Sequence, residues 1–153
     1  MSSARNLKIV KKALEDYLEL KGQRKTSERF VILKEMYNCD EHMDVDTLHF
    51  RMRLKNYKIS KATIYNNLDM LIDAGLIRKH QFGRGKAYYE RSFFRGNHDH
   101  VILTDTEEIK EFYDARIETI KETIEQILDV TIESHSLYFY GTRNTCDSEQ
   151  KIA

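Results

Sequence analysis

The tripeptide His98-Asp99-His100 is the part of the sequence best suited to chemistry. It leads into an apolar run, and side chains of a strand alternate between its two faces. His98 and His100 should therefore point one way and Asp99 the other, so the tripeptide can serve two sites. Imidazole and carboxylate donors suit Fe(II), Zn(II), Mn(II) or Co(II) better than Cu(I). Further candidate ligands are His42, Glu90, Glu111, Glu118 and His135.

Three of the six histidines, and both cysteines, also have plainer explanations. His49, His80 and His135 can be ordinary surface or core residues. Cys39 and Cys146 are the only cysteines of the chain. They are too few and too far apart to form a disulfide framework or a sulfur-rich metal site by themselves.

A segment that begins at Ser60 has the properties of a DNA-recognition helix. Such a helix must lead with small or polar residues, because bulky apolar side chains cannot read base edges in the major groove. Lys61 could meet a phosphate, the Tyr65 ring could pack on a thymine methyl, and Asn66 could bond a base edge. The alternative is a helical subdomain whose polar residues only face water. The candidate DNA-contacting residues are Arg24, Lys61, Thr63, Tyr65, Asn66, Arg84 and Lys86.

Four helices and a hairpin are predicted to position these residues. Apolar residues recur at helical spacing in four segments, the last of which Ser60 caps and Gly75 closes. Two extended runs, residues 76–82 and 87–90, flank a Gly-Arg-Gly-Lys turn and predict a hairpin with a basic tip. Helices followed by such a hairpin describe a winged helix.

The second half of the chain predicts a small α/β unit. Strands are expected at residues 101–104, 108–112 and 131–140, with a helix at 114–129. The isoleucines of that helix have few residues to pack against, so we expect a homodimer through this half. The whole chain is thus α+β: a winged-helix domain at residues 1–90, a hinge at 91–97, a dimerisation and metal-binding domain at 98–146, and a mobile tail at 147–153.

Charge separates the two halves. Residues 1–90 hold 18 Lys and Arg against 12 Asp and Glu, a balance of +6, and residues 91–153 hold 7 against 13, a balance of −6. Phosphate attracts the first half, and metal cations suit the second. No apolar run approaches the roughly 18 residues that span a bilayer, and the start lacks the apolar block of a signal peptide. We expect a cytoplasmic protein that does not bind membranes.

Several motifs, taken together and in this order, resemble the ferric uptake regulator (Fur) family. They cover most of residues 20–141, and they are QRKTSERFVIL (residues 23–33), ISKATIYNNL (59–68), DAGLI (73–77), HDH (98–100) and HSLYFYG (135–141). The resemblance implies an N-terminal winged-helix domain, a C-terminal dimerisation domain, and metal-dependent binding to palindromic DNA operators, usually to repress iron-uptake genes.

The resemblance also assigns residues to two metal sites and to DNA. The family's regulatory site falls on His42, Glu90, His98, His100 and Glu111. A second site falls on Asp99, Glu118 and His135, with Asn97 where relatives commonly have a histidine. The family's base-contacting tyrosine matches Tyr65, and its minor-groove basic residue matches Arg24.

Departures from the family pattern limit the choice of metal. Many relatives hold a structural zinc with two Cys-x-x-Cys pairs, but Leu103 and Thr106 replace the first pair here and only Cys146 remains near the second. A tetrathiolate zinc site therefore cannot form within this chain. The regulatory site lacks the cysteine common in zinc sensors, and peroxide sensors tend to have aspartates where Glu90 and Glu111 stand. Iron(II) is therefore favoured, with Zn(II) or Mn(II) as alternatives.

Three classes of function remain open from the sequence. The favoured one is a metal-dependent, dimeric, non-enzymatic regulator that binds double-stranded operator DNA and represses metal-uptake genes. The second is a winged-helix module that binds DNA or a protein without metal. The third is a metallohydrolase, which no candidate nucleophile or substrate-positioning motif supports.

Overall fold

The computed structural model describes residues 2–83 and 85–144, which form two compact units that divide between Arg95 and Gly96. The first unit holds four helices and one hairpin. These are α1 (Ser2–Leu20), α2 (Ser27–Tyr37), α3 (Val45–Leu54), α4 (Lys61–Asp73), β1 (Ile77–Gln81) and β2 (Ala87–Arg91).

The core of the first unit is built from the predicted apolar stripes. Leu14, Leu33, Leu48 and Leu68, one from each helix, are fully or almost fully buried in a single cluster. Apolar positions three and four apart place such residues on one face of each helix. The predicted helices, and their inward faces, are therefore confirmed.

The start and end of α4 follow the local sequence rules. The Ser60 hydroxyl accepts a hydrogen bond from the Thr63 backbone N–H at 3.1 Å, as an N-cap should. At the other end Gly75 has φ +72°, and the Leu76 N–H donates to the Leu71 carbonyl. This left-handed position favours glycine, because a side chain there would be strained. Both predicted caps are confirmed.

The hairpin gains a third extended segment from the loop between α2 and α3. β1 and β2 pair antiparallel, with Arg78 opposite Glu90 and His80 opposite Tyr88. Met43 in turn exchanges two backbone hydrogen bonds with Tyr89, at 2.9 and 2.8 Å. This antiparallel bridge places His42, which precedes Met43, beside Glu90, which follows Tyr89.

The second unit contains a three-stranded sheet and one helix. The sheet has the order β4-β3-β5; β3 pairs antiparallel with β4 and parallel with β5. The elements are β3 (Asp99–Leu103), β4 (Glu108–Phe112), α5 (Ala115–Leu128) and β5 (Tyr138–Gly141).

The strand predicted at residues 131–140 is wrong over most of its length, because pairing begins only at Tyr138. Alternating apolar residues suggested a strand, but this segment is tied to the end of α5 instead. The Ile132 N–H donates to the Glu125 carboxylate at 2.7 Å, and the Val130 N–H donates to the Glu125 carbonyl. Contact with β3 begins only at Leu137, whose carbonyl accepts a hydrogen bond from the His100 N–H at 3.2 Å, and the paired residues start at Tyr138.

Helix α5 exposes the apolar face that the sequence predicted. Asp114 caps its start, and Asp129, with φ +53°, ends it. No residue of this helix is buried, and Ile120 and Ile127 are 58% and 74% exposed. Within the described part of the chain, no helix is long and apolar enough to cross a membrane.

Candidate metal centre and nucleic-acid interface

The first group of predicted metal ligands is the pair His42 and Glu90 in the first unit. The backbone bridge between Met43 and Tyr89 sets these two residues side by side. His42 Nε2 lies 3.1 Å from Glu90 Oε2, and the Glu90 side chain is 1% exposed. Two cis ligands at about 2.1 Å from one ion are separated by about 3.0 Å, so this spacing suits a shared cation.

Glu90 has two further partners that sequence reasoning did not assign. His80 Nε2 donates to Glu90 Oε1 at 2.7 Å, and Arg95 Nη1 donates to Glu90 Oε2 at 3.0 Å. His80 stands diagonally across the β1–β2 ladder from Glu90, and the hairpin prediction could have indicated that pairing. Arg95 follows the end of β2, where no periodic pattern predicts its direction.

Aromatic rings cover this side of the hairpin. The His80 and Phe82 rings stack at 5.6 Å, and Phe82 lies 5.8 Å from the Tyr88 ring. The His42 ring packs edge-on against the rings of His80 and Phe82. A carboxylate enclosed in this way interacts strongly with any nearby cation, because little water screens the charge.

The second group of ligands lies on the sheet of the second unit. His100 is directly opposite Glu111 in the β3–β4 ladder, and the His98 and His100 ring centroids are 5.0 Å apart. One ligand atom from each of His98, His100 and Glu111 lies within 4.8 Å of the other two. His98, directly before β3, and His100 within it therefore lie on one face, as predicted.

A hydrogen bond orients the His98 ring. His98 Nδ1 lies 3.0 Å from the Gly96 carbonyl oxygen, which can only accept, so Nδ1 carries the proton. The other ring nitrogen, Nε2, then carries the lone pair and lies 3.8 Å from Glu111 Oε1. Metal-binding histidines are commonly held by such an outer hydrogen bond.

Asp99 faces away from these histidines and contacts a different residue. Its Oδ1 lies 3.0 Å from His135 Nε2, so two residues of the predicted second site are together. Glu118, the third, accepts a hydrogen bond from Asn97 Nδ2 at 3.1 Å. The side chain that replaces the family's histidine thus contacts one of the predicted ligands.

Both groups offer nitrogen and oxygen donors. Cys39, the cysteine within the described residues, is free and half-buried. Cys146 and the tail at residues 147–153 lie outside the described residues. The donor set of the described groups fits a divalent ion such as Mn(II), Fe(II) or Zn(II).

The exposed side of α4 carries the predicted base-contacting residues. Tyr65 is 49% exposed, and Asn66 is also exposed. Thr63 is half-buried, and its hydroxyl lies 2.9 Å from that of Ser60, so it helps to fix the start of the helix. The arrangement leaves an aromatic ring and an amide directed away from the core, as major-groove contact requires.

Three of the predicted phosphate-binding residues, Arg24, Lys61 and Lys86, are exposed, and two of them form ion pairs within the unit. Lys61 Nζ lies 2.7 Å from Asp46, and Lys86 Nζ lies 3.3 Å from Asp44. The hydrogen bond to Asp46 raises the pKa of Lys61. Arg24 is exposed, and its carbonyl accepts a hydrogen bond from Arg29. Arg84 lies outside the described residues.

Comparisons with known proteins connect this fold and these residues to one family. The family model described as "Ferric uptake regulator family" matches residues 20–140. The ferric uptake regulation protein of Rhizobium leguminosarum bv. viciae is 33% identical over 132 residues, which cover 86% of this chain and 92% of the relative.

Two solved structures extend the likeness to the fold. The Pseudomonas aeruginosa ferric uptake regulator with manganese has a TM-score of 0.75 and 27% identity, covering 86% of this chain and 98% of that one. The Francisella tularensis ferric uptake regulator with iron has a TM-score of 0.68 and 27% identity, covering 80% and 92%. The chain therefore belongs to the ferric uptake regulator family of metal-dependent transcription regulators.

Proposed function

We propose that this chain is a dimeric, iron-responsive repressor that grips a palindromic operator when one divalent cation is held by His42, Glu90, His98, His100 and Glu111. The observation that carries the proposal is the pair of preformed ligand groups, one in each unit. Each group sets imidazole and carboxylate atoms at spacings suited to a metal ion. The family resemblance assigns the same five residues to one regulatory site.

The division of ligands between two units provides a mechanism. His42 and Glu90 alone supply two ligand atoms, and His98, His100 and Glu111 supply three. A five-ligand shell binds an ion more strongly than either group, so ion binding selects the arrangement in which both groups reach it. The resulting shift equals the difference in affinity between the competent and incompetent arrangements. The recognition helices of the dimer then hold the spacing that the operator needs.

The donor set favours Fe(II) as the physiological ion. A thiolate-free shell of nitrogen and oxygen suits Fe(II) and Mn(II), whereas dedicated zinc sites often include sulfur. The two relatives compared above were solved with manganese and with iron. Zn(II) binds such ligands more tightly, so a purified sample is expected to retain zinc.

A second ion site at Asp99, Glu118 and His135 is part of the same proposal. The contact between Asp99 and His135 supports it, and so does the position of Asn97 beside Glu118. The Asn97 side-chain oxygen could complete the shell after rotation of the amide. This site would stabilise the second unit in place of the tetrathiolate zinc.

DNA contact is assigned to the exposed side of α4 and to basic residues around it. Tyr65 and Asn66 read bases, whereas Thr63 acts through the cap at Ser60. The proposed phosphate contacts are Arg24, Lys61, Arg84 and Lys86. Lys61 and Lys86 must leave Asp46 and Asp44 to contact phosphate. Contacts with phosphate release counterions from the DNA, so binding should weaken as the salt concentration rises.

Dimerisation is assigned to the second unit, whose helix α5 exposes its isoleucines. The proposed boundaries are a DNA-binding domain at residues 1–90, a hinge at 91–97 and a dimerisation and metal-binding domain at 98–146. Two recognition helices related by a two-fold axis match a palindromic site.

Operator titration with and without metal tests the proposed function. A duplex is first selected from a random-sequence library by the Mn(II)-loaded chain, and its affinity is then measured by fluorescence anisotropy. We expect a chelator to weaken binding by the wild-type chain at least about tenfold, within the usual range of allosteric coupling. His100→Ala should lose most of this metal dependence and retain the fold by circular dichroism.

His49→Ala is the matched control for metal binding, because His49 lies on α3 outside both ligand groups. Its Mn(II) affinity should equal that of the wild-type chain. Equal operator affinity with and without metal in the wild-type chain would show a metal-independent module. Full metal dependence in His100→Ala would overturn the assigned site, and hydrolysis of model phosphodiesters by the loaded chain would favour an enzyme.

A further inference from the structure

We infer that Arg95 competes with the divalent cation for Glu90 and thereby sets the metal concentration at which the regulator responds. The inference rests on the proposed function, because it concerns the same metal site. Neither the motifs nor the family resemblance assign a role to Arg95. Its position relative to the Glu90 carboxylate carries the argument.

The two oxygens of Glu90 have different roles. Oε1 accepts from His80 at 2.7 Å, inside the stacked rings of His80 and Phe82. Oε2 faces His42, the other predicted ligand of this unit, at 3.1 Å. The ion shared with His42 is therefore expected at Oε2, with His80 holding the carboxylate in its orientation.

Arg95 already forms an ion pair with Glu90 Oε2. Its Nη1 donates to Glu90 Oε2 at 3.0 Å, and the guanidinium is 21% exposed. A carboxylate that is 1% exposed needs a positive partner, since burying an uncompensated charge is strongly unfavourable. In the metal-free chain Arg95 supplies that charge.

Ion binding at Oε2 places two cations on one oxygen. With a metal–oxygen distance of about 2.1 Å and the 3.0 Å ion pair, the two positive centres would be within about 5 Å of each other. Repulsion at this distance in a poorly hydrated place weakens ion binding unless Arg95 moves away. Either way, the charge of Arg95 lowers the affinity for the cation.

The place of Arg95 in the chain links this competition to the junction between the two units. Arg95 is the last residue of the first unit, directly before Gly96. The side chain displaced by the ion is therefore attached to the segment that leads into the second unit. Its response to metal acts where the two units are joined.

Metal affinity of the full chain tests the inference. Mn(II) dissociation constants are measured by isothermal titration calorimetry on metal-free protein, with Zn(II) competition against a chromophoric chelator as a second measurement. Arg95→Gln should bind Mn(II) about tenfold more tightly or better, the low end of the effect of one charge about 4–6 Å from a titrating group. Arg95→Lys, which keeps the charge, should stay within about threefold of the wild-type chain by the same reasoning.

Arg91→Gln is the control for net charge, because Arg91 is a neighbour in sequence that pairs with Asp40 instead. It should leave the Mn(II) affinity unchanged. Unchanged or weaker binding by Arg95→Gln, beside a wild-type chain that binds Mn(II), would overturn the inference and leave the proposed function standing. A wild-type chain that does not bind Mn(II) would overturn the proposed function itself.

Folding of the neutral variant is checked by circular dichroism. Arg95→Met, which keeps the aliphatic stem, carries the same expectation of tighter binding. A neutral variant that folds only with Mn(II) also supports the inference, because the ion then replaces the missing positive charge. Failure of both neutral variants to fold with Mn(II) would contradict it.

Discussion

The two units of the chain are stabilised to very different degrees by their own side chains. The first unit packs eighteen buried hydrophobic residues from its four helices, its hairpin and their connecting loops into one cluster. Among the described residues of the second unit, the buried hydrophobic ones are Ile102 and Leu103, and α5 buries none. The half that carries α4, the proposed recognition helix, has its own core, whereas the half that carries the exposed isoleucines does not.

The difference in buried core indicates that side-chain packing stabilises the first unit, whereas the second unit needs a binding partner. A helix that reads base edges must be held in one orientation, and the core beneath α4 provides that rigidity. The second unit leaves apolar surface available, which a second copy of the chain can cover. Its stability is therefore expected to depend on association and on bound metal.

Leu68→Ala should have the largest effect on the first unit. Leu68 is fully buried beneath α4, so the substitution removes packing and leaves a cavity. The free energy of unfolding should fall by about 2–5 kcal/mol, measured by urea denaturation followed by circular dichroism. Sedimentation should show an unchanged oligomeric state.

Leu54→Ala provides the matched comparison, because Leu54 on α3 is 67% exposed. Its effect should stay within about 0.5 kcal/mol, as for most surface substitutions. Equal losses of unfolding free energy in the two variants would contradict the conclusion that the first unit is stabilised by its own hydrophobic core.

Ile120→Asp tests whether the second unit associates with a second copy of the chain through α5. A charge on the exposed apolar face of α5 is tolerated by a solvated monomer but costs a great deal when a partner covers it. We expect the dimer dissociation constant to rise at least about 100-fold, or about 2.7 kcal/mol, by analytical ultracentrifugation.

Gln126→Asp introduces the same side chain on the polar side of α5. It should leave association unchanged. A dimer that tolerates Ile120→Asp as well as Gln126→Asp would place the interface elsewhere and break the comparison between the units.

Local rules predicted the parts of the fold whose signals lie within a few residues. Helix α4 begins after Ser60 and is closed at Gly75 as expected, because caps depend on backbone groups three to five residues away. Strand alternation likewise separated Asp99 from His98 and His100. These features could be predicted because each depends on one element alone.

Features that depend on a neighbouring element were missed. The strand expected at residues 131–140 forms only from Tyr138, because its partner strand is short. His80 looked like an ordinary core histidine until the hairpin register placed it beside Glu90. The pairing of Lys61 with Asp46 joins two helices, and no local pattern indicates it.

Glu35→Gln should have the smallest effect, because it removes a charge from the core of the first unit without creating a cavity. Glu35 is 3% exposed and accepts hydrogen bonds from Arg51 at 2.8 Å and Lys55 at 2.5 Å. Burial alone would raise the pKa of Glu35, but the bonds from Lys55 and Arg51 outweigh burial and hold it below 4.5. A lowered pKa in the folded chain means that this stabilisation is present above about pH 4.5 and is lost as the pH falls through the folded value.

The substitution should therefore reduce the free energy of unfolding at pH 7 by about 1–3 kcal/mol, the cost of losing charged hydrogen bonds. The difference from the wild-type chain should shrink in urea titrations at acidic pH, where Glu35 becomes protonated in both states. Glu41→Gln, at an exposed position, should change stability by less than about 0.5 kcal/mol at either pH. A pH-independent loss in Glu35→Gln would mean that shape, and not charge, makes this residue stabilising, so that the first unit would rest on packing alone.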